Sequence, residues 1–257
     1  MSSQHNSLRW RSGVNLVVIA AALVAITVIT NAYSFNLMLR NFRQSLSSTA
    51  QIYTEQISGK VDKINSGSLE LVSLAASSQN YYTSSPLGRY LTQQDILTRL
   101  QDRIRYVESS DLYFFYRTDS DELLTALSNR ASTGSSYFWN QYLMLPPTQP
   151  ANTWFSVTCN GETWLMYYYN VSQVRVGAAV RAKTLLQSLY ADTGLVQDSG
   201  FALAGLDGTI VYSSQPDLMA CGTSLAGHIP ASLIVENHTV PEVGTLLLFR
   251  PSSDLLH

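Results

Sequence analysis

Residues 201–214, FALAGLDGTIVYSS, decide the fold class. An apolar run reaches Leu206, the pair Asp207-Gly208 supplies the left-handed backbone that a tight turn requires, and 209–213 returns as a second strand. A hairpin of this kind commits its part of the chain to an antiparallel sheet. Segments 233–239 and 244–249 form a second strand pair around Pro241, and 215–230 between the pairs reads as loop or short helix.

Upstream, a larger version of the same construction is expected. Strands are predicted over 112–117 and 122–127, joined by Thr118-Asp119-Ser120-Asp121, and over 153–158, 162–169 and 174–181. Asn160-Gly161 links the first two of the latter three, a strong short hairpin signal. The expectation is a five-strand antiparallel meander. A helix is predicted over 93–107, with Thr92 as its N-cap and Ile96, Leu100, Ile104 and Val107 on one face. The aromatic stretch 137–142 (YFWNQY) reads as a short helix, Pro146, Pro147 and Pro150 enforce a loop, and 182–190 is a helix connecting the two sheets.

Ahead of these modules, residues 12–39 contain no charged side chain. A helix needs about 20 residues at about 1.5 Å each to cross the hydrocarbon, and 14–33 supplies that length. Arg9 and Arg11 before the segment nearly balance Arg40 and Arg43 after it under the positive-inside rule. The short tail with its N-terminal amine sets the N-terminus in the cytoplasm. A cleaved signal peptide would need a shorter apolar core than this one. Gly13 stands where a type IV pilin is cleaved, but Val14 follows it and no acid appears before Glu55, unlike the pilin pattern.

Beyond the anchor, Leu39, Phe42, Leu46, Ala50, Tyr53, Ile57, Val61 and Ile64 recur every three or four residues and trace one helical stripe. The stripe suits packing on the chain's own domain or a parallel homodimer through the long helix. Gly59 and Gly67 each cost about 1 kcal/mol in a helix interior, so this rod is not optimised as a permanent coiled coil. The pattern ends in Thr83-Ser84-Ser85-Pro86, where proline bars helical continuation. The expected organisation is a cytoplasmic tail at 1–12, a transmembrane helix at 13–34, a membrane-proximal helix at 35–85, a larger module at 86–192 and a smaller one at 193–257.

Sixteen Lys and Arg against 18 Asp and Glu, across 257 residues, leave no basic footprint, which argues against nucleic acid as a partner. Residues 40–257 hold 14 of those bases and all the acids, and are expected outside the cell membrane as the bulk of a single-pass protein. Charged residues are only 13% of the chain, while hydrophobic residues reach 46%. His5, His228, His238 and His257 form no paired-ligand spacing, and Cys159 and Cys221 allow at most one bridge. GxSxG and phosphate-cradling loops are also missing, so neither an enzyme nor a cofactor is expected. Asn170-Val171-Ser172 and Asn237-His238-Thr239 match the glycosylation pattern without further support.

The hairpin at 201–214, the stretch VRVGAAVRAKTLLQSL at 174–189 and the ending LLLFRPSSDLL at 246–256 together resemble a known arrangement. It is the extracytoplasmic double-Cache, PAS-like sensor region of bacterial membrane receptors, with Gram-positive sensor histidine kinases as the nearest type. The resemblance covers about residues 35–257. It implies an α+β fold with two PAS-like antiparallel-sheet modules behind a transmembrane helix. It also implies sensing of an extracellular small molecule in the larger module, transmitted through the long helix in a two-component or related pathway. Such receptors continue through a second transmembrane helix, so a chain ending at His257 reads as truncated before it. Many amino-acid-binding Cache domains carry Arg-x-Trp-Tyr on the short helix and Asp on the last strand. With Trp139 aligned, Tyr137 and Asn140 replace the Arg and Tyr, and Gly177-Ala178-Ala179 lacks the Asp. An ordinary amino-acid ligand is therefore not expected.

Aromatic density between 113 and 169 suggests the site, although core packing accounts for part of it. The candidate ligand-binding residues are Tyr116, Arg117, Tyr137, Trp139, Tyr142, Trp164, Tyr167 and Tyr169, with Arg181 as a further source of charge. Trp139 and Tyr142 are expected to face a sheet carrying Trp164 with Tyr167 or Tyr169, which favours a flat or sugar-like, weakly charged ligand. A competing function is an anchored or secreted structural or adhesive protein without signalling output.

Overall fold

A computed structural model describes residues 3–77, 85–107, 109–129, 151–159, 161–191, 199–226, 229–230 and 232–252. The chain divides into two units, residues 1–47 and 48–257. Helix α1 runs over Ser3–Ser77. In the first unit its apolar side chains point outward on all sides: Leu16, Val18, Leu23, Ile26 and Ile29 are each about as exposed as on an isolated helix. The helix is long and apolar enough there to cross a membrane. Anchor and stripe, expected as separate segments, are one helix: no proline intervenes, and Asn36 at the junction donates back to the Ala32 carbonyl inside the helix.

Helix α2 spans Pro86–Tyr106. Its N-cap is Ser85, whose Oγ accepts from the Gly88 N–H at 3.2 Å, and Pro86 occupies the first helical position, where its missing donor costs nothing. The expected cap at Thr92 is corrected: its hydroxyl donates to the Gly88 carbonyl inside the helix at 2.9 Å. The start was hidden because Leu87, Tyr90 and Leu91 in the first turns face solvent, which broke the apolar periodicity.

Five strands follow, β1 (Leu112–Arg117), β2 (Glu122–Leu127), β3 (Phe155–Cys159), β4 (Glu162–Val171) and β5 (Val174–Arg181). All neighbours are antiparallel, in the order β2-β1-β5-β4-β3. The expected meander is therefore wrong at one junction: β2 does not pair with β3, and β5 inserts beside β1 over six residues. Burial explains this. All six residues of β1 are buried, so β1 needs a neighbour on each side, whereas β2 is only partly buried and can serve as an edge.

Short helices α3 (Ala182–Leu185) and α4 (Gln187–Ala191) follow β5. The second sheet comprises β6 (Gly200–Ala204), β7 (Ile210–Ser213), β8 (Leu233–Val240) and β9 (Gly244–Pro251), ordered β7-β6-β9-β8. Its wiring repeats that of the larger sheet, with the first strand held between the second and the last. The fold is α+β, with two antiparallel sheets behind a long apolar N-terminal helix.

In the second unit, α1 buries Ala50, Ile57, Val61, Ile64, Leu71, Leu74 and Ala75 within the single chain. The stripe offered for a homodimer is thus taken up by the chain's own packing between Ala50 and Ala75, and beyond Ser48 the large apolar side chains of α1 left exposed are Ile52 and Leu69. Tyr113 Oη donates to the Ile64 carbonyl at 3.5 Å, and a Cβ on Gly67 would lie 2.5 Å from that oxygen. Gly67 is therefore a seat for Tyr113. Lys60 Nζ donates to the Leu185 carbonyl at 2.9 Å, tying α1 to α3.

Candidate functional site

Strand alternation sorts the larger sheet into two faces. One carries Tyr113, Phe115, Leu165, Tyr167 and Val176, and Tyr113 places it against α1. The other is a cluster of Leu112, Phe114, Tyr116, Trp164, Met166, Tyr168 and Ala179, bordered by half-buried Leu123, Leu127 and Phe155. Register adds Arg175, opposite Tyr116, and Arg181, opposite Trp164, to this second face. A Cβ at Gly177 would lie 2.7 Å from the Tyr168 Cβ, so glycine lets the tyrosine lie close to β5.

A guanidinium stands at each end of this aromatic floor. Arg181 grips the fully buried Asp111 through Nε to Oδ2 at 3.3 Å and Nη2 to Oδ1 at 3.0 Å, and Asp111 Oδ2 also accepts the Arg181 backbone N–H at 2.9 Å. The hydrogen bonds to Asp111 raise the Arg181 pKa further, keeping the side chain charged. Its guanidinium lies 5.7 Å from the Trp164 ring centroid. At the other end, Arg175 stands 5.5 Å from the centroid of Tyr116. The Tyr116 hydroxyl donates to Asp121 Oδ1 at 2.7 Å, and burial first, then that carboxylate, push its pKa up to about 12. Tyr116 is therefore a neutral donor at physiological pH.

The residues expected to form one pocket are divided by this geometry. Tyr116 and Trp164 are on the floor, with Arg175 and Arg181. Tyr167 and Tyr169 are on the opposite face, where they meet edge to face at 5.2 Å, and Trp154 packs on Tyr167 at 5.4 Å. The proposed pairing of Trp164 with Tyr167 or Tyr169 in one wall is corrected, since even and odd positions of β4 point oppositely. Arg117 shares their parity, and its guanidinium is engaged by Asp119 of its own turn at 2.9 and 3.1 Å. Tyr137, Trp139 and Tyr142 lie outside the described residues. Phe114, Tyr168 and Arg175 were missed, although counting in twos from Tyr116 and Trp164 along β1 and β4, then reading across to β5, would have found them. Among the described residues no cluster of three metal-ligating side chains occurs.

No protein family and no curated protein matches the sequence. Solved structures do. The periplasmic sensory domain of the Campylobacter jejuni chemoreceptor Tlp1 superposes with a TM-score of 0.57 at 10% identity, covering 85% of this chain and 98% of that one. A methyl-accepting chemotaxis protein X gives 0.51 at 10% identity, over 82% and 97% of the two chains. The sensory domain of the C. jejuni chemoreceptor Tlp3, solved with isoleucine bound, gives 0.50 at 8% identity, over 88% and 98%. At these identities the likeness concerns architecture, and the chain has the fold of chemoreceptor sensory domains.

Proposed function

We propose that this protein is the extracytoplasmic sensing region of a membrane-anchored receptor, and that the aromatic floor of the larger sheet is where its small-molecule ligand binds. The carrying observation is the floor itself: buried rings on β1 and β4 on either side of β5, a neutral tyrosine donor, and a guanidinium at each end. Tyr137, Trp139 and Tyr142 are proposed as further ligand contacts. Because Arg181 is held by Asp111, the charge at that end of the floor is largely neutralised, which supports a flat, weakly charged ligand over a zwitterion. The exposed apolar helix at 16–29 supports a membrane anchor; in this reading the N-terminus lies in the cytoplasm and the sheets outside. Signal leaves through α1, which Tyr113 joins to the larger sheet.

Full-length protein in nanodiscs, screened by thermal shift against nucleobases, monosaccharides, aromatic acids and amino acids, tests this reading. A flat or sugar-like compound is expected to raise Tm, and Trp139→Ala to abolish that rise while the unliganded Tm stays within a few degrees, on the scale of about 1 kcal/mol. Collapse of the unliganded variant would show that Trp139 is core and misassigned as a ligand contact.

A further inference from the structure

The β8–β9 turn, Pro241-Glu242-Val243, meets α1 and the larger sheet at one place. Asn65 Nδ2 on α1 donates to Glu242 Oε2 at 2.5 Å. The same carboxylate acts on Tyr167 of β4, whose phenol is held above its ordinary pKa by burial, then by Tyr169 and then by Glu242. Backbone strain fixes the turn: Glu242 has φ +66°, and a Cβ on Gly244 would lie 2.0 Å from the Ala204 carbonyl of β6. Its geometry is thus set by the smaller sheet, while its side chain is used by the other two elements.

This junction is poorly filled and incompletely paired. Val243 lines a partly open pocket of about 260 Å³ with Phe155 and Leu165 of the larger sheet, Val211 of the smaller and the loop residues Trp154 and Leu206. Among the described residues, Asn65 Oδ1 and Trp154 Nε1 are both buried without a hydrogen-bond partner. Buried polar atoms are rarely left so, and two at one junction, beside a pocket and a strained turn, mark an arrangement held in place against local cost. We propose that the β8–β9 turn is a latch joining the two sheets through α1, with Glu242 as its positioning residue. The latch goes beyond the sensing reading and stands whether or not the larger sheet binds a ligand.

Hydrogen exchange of the full chain in nanodiscs tests it. In the wild type the slowest amides of β4–β5 and β8–β9 are expected to exchange at rates within about threefold of each other, as one cooperative unit. Glu242→Ala should speed β8–β9 at least tenfold over β4–β5. Asn65→Ala should do the same, and Glu242→Gln, whose amide oxygen still accepts from Asn65, should return the ratio to within about threefold. Unequal rates in the wild type, equal acceleration of both sheets in the alanine variants, no acceleration in either sheet, or Glu242→Gln behaving as Glu242→Ala would each overturn the latch.

Discussion

The two sheets share a wiring and differ in what they bury. In the smaller one the packed cluster is Ala202, Ala204, Ile210, Met219, Leu233, Leu247 and Phe249, and the register sets buried Ser213 opposite Ala202. In the larger one the corresponding strands bury two tyrosines and a tryptophan and bring Arg175 and Arg181 to the same face. The larger sheet thus brings charge to its packed face where the register of the smaller brings none, and buried charge is costly unless paired. That difference underlies the proposal that the ligand binds the larger sheet.

Breaking the ion pair should produce the largest effect. Asp111→Ala removes the buried partner of Arg181, leaving the longer pair with Glu162 at 4.0 Å, and a loss of about 3–5 kcal/mol is expected, read as a fall in Tm. A loss below about 1 kcal/mol would show that the pair is solvated and the comparison overstated. In the smaller sheet the equivalent blow is apolar: Phe249→Ala should cost about 3–5 kcal/mol through the cavity it leaves.

The glycines of α1 sharpen the comparison from the helix side. Gly67→Ala drives a methyl into Tyr113 and should cost about 1–3 kcal/mol, with Tyr113→Phe restoring part of it. Gly59 has open space around its Cβ position, so Gly59→Ala should stabilise by about 0.5–1 kcal/mol. Denaturant unfolding of both variants checks the opposite signs.

Several strands were legible from alternation and turn chemistry because those signals are local. β1, β2 and β5 have the expected bounds, and Gly161 and Gly208 take the left-handed backbone their turns demanded. Pairing order was not legible, since the choice between β2 and β5 as neighbours of β3 and β1 depends on which strands are buried on both sides. The site was half legible. Residue types drew notice to the aromatics, but adjacent rings such as Trp164 and Tyr167 were grouped without regard to parity. Arg175 went unnoticed because its relation to Tyr116 is a cross-strand one.

A smaller effect should appear at high pH. The Tyr116 hydroxyl has its pKa raised from 10.0 to about 12, so the folded state favours the neutral phenol. Its stabilisation is complete below pH 10 and is lost as pH rises toward 12. Tyr116→Phe should lose about 1 kcal/mol at pH 8 from the missing bond to Asp121, and the gap from wild type should close by pH 12, as followed by urea unfolding. A gap that is constant with pH would contradict the burial of this hydroxyl.

The most direct measurement compares the two packed faces under ligand. For a compound that raises Tm in the nanodisc screen, the shift is measured again in Tyr168→Leu on the larger floor and in Met219→Leu within the cluster of the smaller sheet. The account predicts that Tyr168→Leu loses the shift and Met219→Leu keeps it, with both unliganded variants folded. Retention of the shift in Tyr168→Leu together with its loss in Met219→Leu would place the ligand on the smaller sheet and contradict the assignment.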